Sequence, residues 1–166
     1  MRAFARLRET MEARLLILGE GEMRPVLEAE VERLTLSEYV SMPGFVRNPY
    51  AHVARADVLE LSSRWEGFGN VLLDWTLPCR GAPVVSTDCD SGPPEILEDG
   101  AWGRLVPVGD AEALANALQE TLEETDKPDV EQRAQAFTVD AAVDAYLRLL
   151  VPEGSAANPN SVQGAE

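Results

Sequence analysis

The feature that most constrains this chain is the run Leu15-Leu16-Ile17-Leu18, which stops at Gly19 and gives way at once to a helical pattern. An apolar run without alternation suits a strand buried on both faces, the environment of a parallel sheet covered by helices. The glycine lets the chain leave the strand in a tight turn. The same succession recurs down the chain. YVSMPGF closes at Pro43-Gly44, ADVLELSS runs into Ser62-Ser63, APVVSTD ends at Asp88, and GRLVPVG is a short fifth strand.

Helical patterns fill the intervals. One runs from about Met23 to Leu34, with Val26, Leu27, Val31 and Leu34 on one face. NPYAHVARA is a short helix opened by Asn48 and Pro49, and in GFGNVLLDWTL the chain turns from strand to helix near Asn70. Asp110 is placed to cap DAEALANALQETLEE, and EQRAQAF and VDAAVDAYLRLL give two closing helices. At the start, Met1, Phe4, Leu7 and Met11 share one helical face.

Strands alternating with helices predict an α/β fold, a Rossmann-like, doubly wound parallel sheet flanked by helices. With 166 residues in all, one domain over residues 1–150 is expected, and the polar tail 151–166 is expected to be disordered. Apolar residues make up 45% and charged residues 26%, the balance of a soluble globular domain.

The net charge of −15, with no cluster of Lys and Arg, argues against nucleic acid as a partner. It leaves anionic small ligands open, because backbone N–H groups at a helix start hold phosphate inside an acidic protein. Cys79 and Cys89 have no CxxC spacing, and His52 is the sole histidine, so no zinc set is expected. Reduced thiols and a cytoplasmic location follow from the same residues. No apolar stretch approaches the roughly 20 residues of a transmembrane helix, and Arg2, Arg6 and Arg8 are followed by no apolar core of a signal peptide.

In such a sheet, ligands sit outside the carboxyl ends of the strands, which directs attention to 19–21, 44–47, 62–70 and 88–95. GEGEMR falls short of a dinucleotide fingerprint because Arg24 stands where the last glycine belongs. Gly19 and Gly21 then form either a plain strand-to-helix turn or one that also faces a nucleotide. In SSRWEGFGNVLLD, Glu66 lies in the loop after a strand and Asp74 on the following helix, so both carboxylates can face one crevice. Gly67 and Gly69 allow close backbone approach, and the amides of Asn70, Val71 and Leu72 open the helix toward an anion. Ionised carboxylates suit sugar hydroxyls because they accept strong hydrogen bonds from neighbouring O–H groups. An acid in a loop is otherwise an ordinary solvated side chain.

EGFGNVLL reproduces the core of the E-x7-E signature of family 4 retaining glycosyltransferases of GT-B architecture, and the chain resembles their C-terminal, donor-binding half. The resemblance extends to about Leu150 through LLILGEGEMRPVLEAE, VSMPGFVRNPYAHVARADVLELSSRWEGFGN and APVVSTDCDSGPPEILEDGAWGRLVPVGDAEALANAL. It implies transfer of a hexose from a nucleotide diphosphate sugar to an acceptor, with retained anomeric configuration and with no metal or other cofactor. It also implies that Glu66 lies closest to the chemistry, on the donor sugar's hydroxyls. Gly67, Phe68, Gly69 and Asn70 would supply backbone contacts to sugar and phosphate, and Asp74 would hold the ribose. Val46 would lie against the nucleobase, with Arg47 beside it or serving as a surface charge. Glu95 in SGPPEIL would orient the loop behind the donor, and Gly103 would be a turn residue.

Three departures from the family pattern bear on function. Asp74 replaces the usual second glutamate and is one methylene shorter. DWTLPCRGAPVV carries two extra residues and a helix-breaking Pro78. The strand that normally precedes the first helix, with a Gly-Arg pair and then a lysine that neutralise the donor's diphosphate, has no counterpart here. That strand belongs in the middle of the sheet, so its neighbours are expected either to close up or to leave unpaired N–H and C=O groups.

The expected function is therefore a donor-binding domain that does not complete transfer alone and that works with an N-terminal, acceptor-binding domain. The alternative is a non-catalytic remnant or interaction module of the same fold. A glycoside hydrolase using Glu66 and Asp74 would need carboxyls about 5 to 9.5 Å apart, and eight positions lying mostly along a helix separate them too far.

Overall fold

The computed structural model describes residues 1–76, 82–126 and 128–151. Pro78, Cys79 and the expected disordered tail beyond Val151 lie outside the described residues.

The chain alternates as its pattern requires. The helix α1 (Arg2–Thr10) leads to β1 (Leu15–Leu18), α2 (Arg24–Arg33), β2 (Val40–Gly44), α3 (Tyr50–Val53) and β3 (Leu59–Leu61). Then come α4 (Asn70–Thr76), β4 (Val84–Thr87), α5 (Pro93–Ile96) and β5 (Arg104–Val106). The chain closes with α6 (Ala111–Glu123), α7 (Val130–Ala134), a 3-10 turn (Gln135–Phe137) and α8 (Val139–Leu150). Among the described residues every strand pairing is parallel.

Among the described residues the sheet comes in two pieces: β1 pairs with β2, while β3, β4 and β5 form a ladder in that order. The parallel, helix-flanked architecture is the expected one, and of the two outcomes expected around the strand without a counterpart, the neighbours β1 and β3 have not closed up. What unites the pieces is a shared core. Phe4, Leu7, Val31, Leu36, Val85, Val106, Ala117 and Leu118 form one buried cluster, against which Leu15 and Val40 of the small sheet also pack.

The central strand β4 is buried along its whole length, Val84 and Val85 being 1% and 0% exposed. Adjacent side chains of a strand point to opposite faces, so Val85 joins the cluster under α1 and α6 while Val84 enters a second one with Val53, Leu59, Leu72, Ile96, Leu97 and Val130. Both faces are covered, which makes the fold Rossmann-like. In β2 the register slips: Leu16 faces Ser41, but Leu18 faces Gly44. The extra residue falls at Met42-Pro43, and a proline, having no N–H to give to a ladder, is tolerated on an edge strand at such a bulge.

Two details follow from side-chain chemistry. Asp110 Oδ1 accepts the N–H groups of Glu112 at 3.0 Å and Ala113 at 2.9 Å, capping α6 as expected. Gly103 is not merely a turn residue: a Cβ there would lie 2.8 Å from the Val84 carbonyl oxygen and 3.2 Å from Leu97, so the chain passes the central strand too tightly for a side chain.

Candidate functional site

The carboxyl end of β3, which stops at Leu61, carries the predicted loop. Ser63 Oγ donates to Glu66 Oε1 at 2.6 Å, which fixes a half-buried carboxylate three residues on. The Ser63 carbonyl in turn accepts Thr87 Oγ1 at 2.5 Å and Cys89 Sγ at 3.3 Å, both buried at the end of β4. From the loop after β4, Ser91 Oγ donates to the backbone carbonyls of Glu66 at 2.7 Å and Gly67 at 3.2 Å. Glu66 is thus held by its side chain and by its main chain.

Two glycines make this approach possible. Gly69 has φ +80 and Gly92 φ +88, left-handed values that disfavour a side chain, and a Cβ on Gly92 would run into the Phe68 carbonyl. Gly67, by contrast, stands in open space at the surface, and a Cβ on Gly69 would meet only Ile96 and Pro93 at ordinary contact distance, so the tight packing belongs to Gly92.

The loop is also backed from the C-terminal side. The Phe68 and Phe137 rings meet edge to face at 5.9 Å, and the Arg133 guanidinium lies 4.7 Å from the Phe137 ring centre. Arg133 donates to the carbonyls of Ile96 at 2.7 Å and Glu95 at 2.8 Å, and pairs with Glu98 at 2.8 Å. Glu95 therefore enters through its main chain, with an exposed side chain.

Of the other residues on this motif, Asn70 and Asp74 are exposed and Val71 is half-buried on α4. Leu72 requires a correction. Its side chain is 0% exposed in the core, and its N–H donates to the Gly69 carbonyl at 2.9 Å, so it anchors the helix instead of presenting a group to a ligand.

A second group forms at the carboxyl ends of β1 and β2. Gly19, with φ +109, donates its N–H to the Gly44 carbonyl at 2.9 Å, which ties the two loops together. Arg24, noted in the sequence only for spoiling a fingerprint, fastens the same turn: it reaches the Met42 carbonyl at 2.7 Å, Glu20 at 2.6 Å and Glu28 at 2.8 Å. The local signal for this role was the pair of acids four residues on either side. Gly21 accepts the Arg24 N–H at 3.1 Å. Val46 is half-buried and Arg47 exposed. The exposed aromatics Phe45 and Trp65, each 82% accessible, mark the loops after β2 and β3.

Just before the site, burial pushes the Glu60 carboxyl above the usual carboxylate range, opposed by a hydrogen bond from Ser62 and by the positive N-terminus. Among the described residues no three His, Cys, Asp or Glu side chains gather as metal ligands, and no helix is long and apolar enough to cross a membrane.

Over residues 1–124 the sequence matches the family described as "Glycosyl transferases group 1". The chain belongs to the group 1 glycosyl transferases. Among curated members, it is 38% identical over 156 residues to the Campylobacter jejuni N-acetylgalactosamine-N,N'-diacetylbacillosaminyl-diphospho-undecaprenol 4-alpha-N-acetylgalactosaminyltransferase, covering 90% of this chain and 42% of that protein. To the lipopolysaccharide core biosynthesis glycosyltransferase LpsE of Rhizobium meliloti it is 34% identical over 143 residues, covering 82% of this chain and 41% of LpsE. This glycosyl transferase chain thus spans about two fifths of these relatives, 42% and 41% of their lengths.

Solved structures agree on the fold. The lipopolysaccharide outer core galactosyltransferase WaaB, in its apo form, superposes with a TM-score of 0.77 at 23% identity, over 89% of this chain and 43% of WaaB. Anabaena HepE, crystallised with UDP and glucose, gives 0.75 at 26% identity, over 90% of this chain and 43% of HepE. The architecture is that of GT-B glycosyltransferases, of which this chain corresponds to one part.

Proposed function

We propose that the chain is the donor-binding domain of a glycosyltransferase that moves a hexose from a nucleotide diphosphate sugar with retention of configuration. The observation that carries this reading is the doubly held Glu66, a carboxylate presented by a glycine-rich loop at the carboxyl end of a parallel strand. Support comes from HepE, a similar protein whose structure contains UDP and glucose.

In this reading Glu66 accepts hydrogen bonds from the donor sugar's hydroxyls. The backbone of Gly67, Phe68, Gly69, Asn70 and Val71 lines the sugar and diphosphate, and Asp74 takes the ribose hydroxyls. Val46 and the turn at Gly19 and Gly21 border the nucleobase side, with Arg47 as the nearby cation. No metal is assigned a role; the diphosphate is met by main-chain amides. An acceptor-binding domain completes the cleft, and the chain alone binds donor without turning it over.

Titrating UDP and UDP-hexoses into the folded chain by calorimetry tests the reading, which predicts saturable binding. A folded sample that takes up no nucleotide overturns it.

A second reading, an interaction module of the same fold, is favoured by one specific observation. The α8 helix shows Val139, Val143, Tyr146, Leu147, Leu149 and Leu150 to solvent, an apolar face suited to another protein surface. Transferase activity on mixing with a separate acceptor domain would eliminate it.

A further inference from the structure

Resting on the donor-binding reading, we infer that Ser63 is a positioning residue for Glu66: its hydroxyl aims the carboxylate so that the donor's hexose, and not its nucleotide, depends on it. The hydrogen bond from Ser63 Oγ to Glu66 Oε1 is 2.6 Å long, the length of a charge-assisted O–H···O⁻ contact. A serine hydroxyl has one proton to give, and here it is committed to Oε1. The other oxygen, Oε2, is then presented in a fixed direction to the hydroxyls of the sugar.

The fixing is continuous with the core of the domain. Thr87 and Cys89, each 3% exposed at the end of β4, donate to the Ser63 carbonyl at 2.5 Å and 3.3 Å. Ser63 thereby inherits the rigidity of the central strand and passes it to Glu66. Ser91 adds an independent hold on the Glu66 carbonyl at 2.7 Å, so the main chain stays in place when the Ser63 hydroxyl is removed. That separation is what makes the role of Ser63 measurable. A glutamate has three side-chain torsions, and holding one of its oxygens removes rotamers that would otherwise be lost on binding.

The competing explanation is that Ser63 and Glu66, three residues apart, make a local bond that only shapes the loop. The two differ in what they predict for sugar against nucleotide. The experiment titrates UDP and a panel of UDP-hexoses into the full chain and into Ser63→Ala, Ser63→Thr and Glu66→Gln, with melting curves for each. Ser63→Ala is expected to weaken UDP-hexose binding on the order of tenfold and to leave UDP binding and the melting temperature unchanged. Ser63→Thr, which keeps the hydroxyl, restores the hexose affinity. Combining Ser63→Ala with Glu66→Gln costs no more than Glu66→Gln alone, because one change acts through the other.

If Glu66→Gln weakens hexose binding but Ser63→Ala does not, the positioning role is overturned and the donor reading stands. Equal losses for UDP and UDP-hexose in Ser63→Ala, or a lowered melting temperature, mark a loop-shaping role and likewise overturn it. If Glu66→Gln leaves UDP-hexose binding intact, or the wild-type chain binds no UDP, the donor reading itself falls and the inference with it.

Discussion

Gly92 is packed against the carbonyl of Phe68 with no space for a side chain between them, although the two residues lie on loops that follow different strands. This contact sets the distance between the loop bearing Glu66 and the loop bearing Ser91. Gly92→Ala puts a Cβ into that carbonyl on a backbone with φ +88, and both effects oppose the native geometry. We predict a loss of about 1–3 kcal/mol in stability, together with weaker binding of UDP-hexose, read from chemical denaturation and calorimetry. A variant as stable as the parent would mean that the loops separate freely.

Glu66→Ala should separate function from folding. The side chain is half-buried and, among the described residues, bonds to Ser63 within its own loop, so its removal leaves the two apolar clusters untouched. On the proposed donor-binding reading, the expected result is a melting temperature within error of the parent and loss of transferase activity when the chain is combined with an acceptor domain. Unchanged turnover in that assembly removes Glu66 from the mechanism.

Leu72 and Asp74 make a matched pair two positions apart on α4. Leu72 is fully buried against Val84 and Ile96, and Leu72→Ala should cost about 2–5 kcal/mol from lost packing. Asp74 is exposed, and Asp74→Ala should leave stability within about 0.5 kcal/mol while lowering affinity for UDP. Denaturant titrations of both variants decide this; a stability loss of similar size in each would contradict the assignment of one to the core and the other to the ligand.

How much of this was legible in the sequence depends on how local the cause is. The strands β1, β2 and β4 announced themselves as apolar runs ending at turns, and Asp110 announced its helix, because each signal lies within a few residues of its effect. The division of the sheet was legible only as one of two outcomes, since whether β1 and β3, about forty residues apart, come together is not set by either run. That EGFGN forms the loop between β3 and α4 was readable, but what holds the loop was not. Ser91 bonds Glu66 across 25 positions and Arg133 reaches Ile96 across 37, distances at which a single sequence carries no pattern. Leu72 was misplaced for the opposite reason: it sits inside a motif that draws the eye to ligands, while its helical phase sends it into the core.

Glu60 offers a prediction in which pH decides. Its carboxyl on β3 is buried, one oxygen (Oε1) has no hydrogen-bond partner among the described residues, and burial raises its folded-state pKa above the ordinary 4.5. The folded chain therefore holds this proton more tightly than the unfolded chain does. Well below the ordinary value the group is neutral in both states and contributes nothing. As pH rises through the ordinary value toward the raised one, the unfolded state releases its proton first, so stability falls; above the raised value the full penalty persists. The Ser62 hydrogen bond and the N-terminal charge reduce the penalty without reversing it. Glu60→Gln keeps the size of the side chain and removes the ionisation. Its melting temperature should exceed that of the parent near neutral pH, and the difference should shrink steadily as pH falls through the ordinary 4.5, below which both side chains become neutral. The net charge of −15 makes both proteins respond to acid in a general way, so the quantity to follow is the difference between them. A difference that stays constant over this range, or that grows on acidification, means that Glu60 does not ionise at a cost within the folded chain.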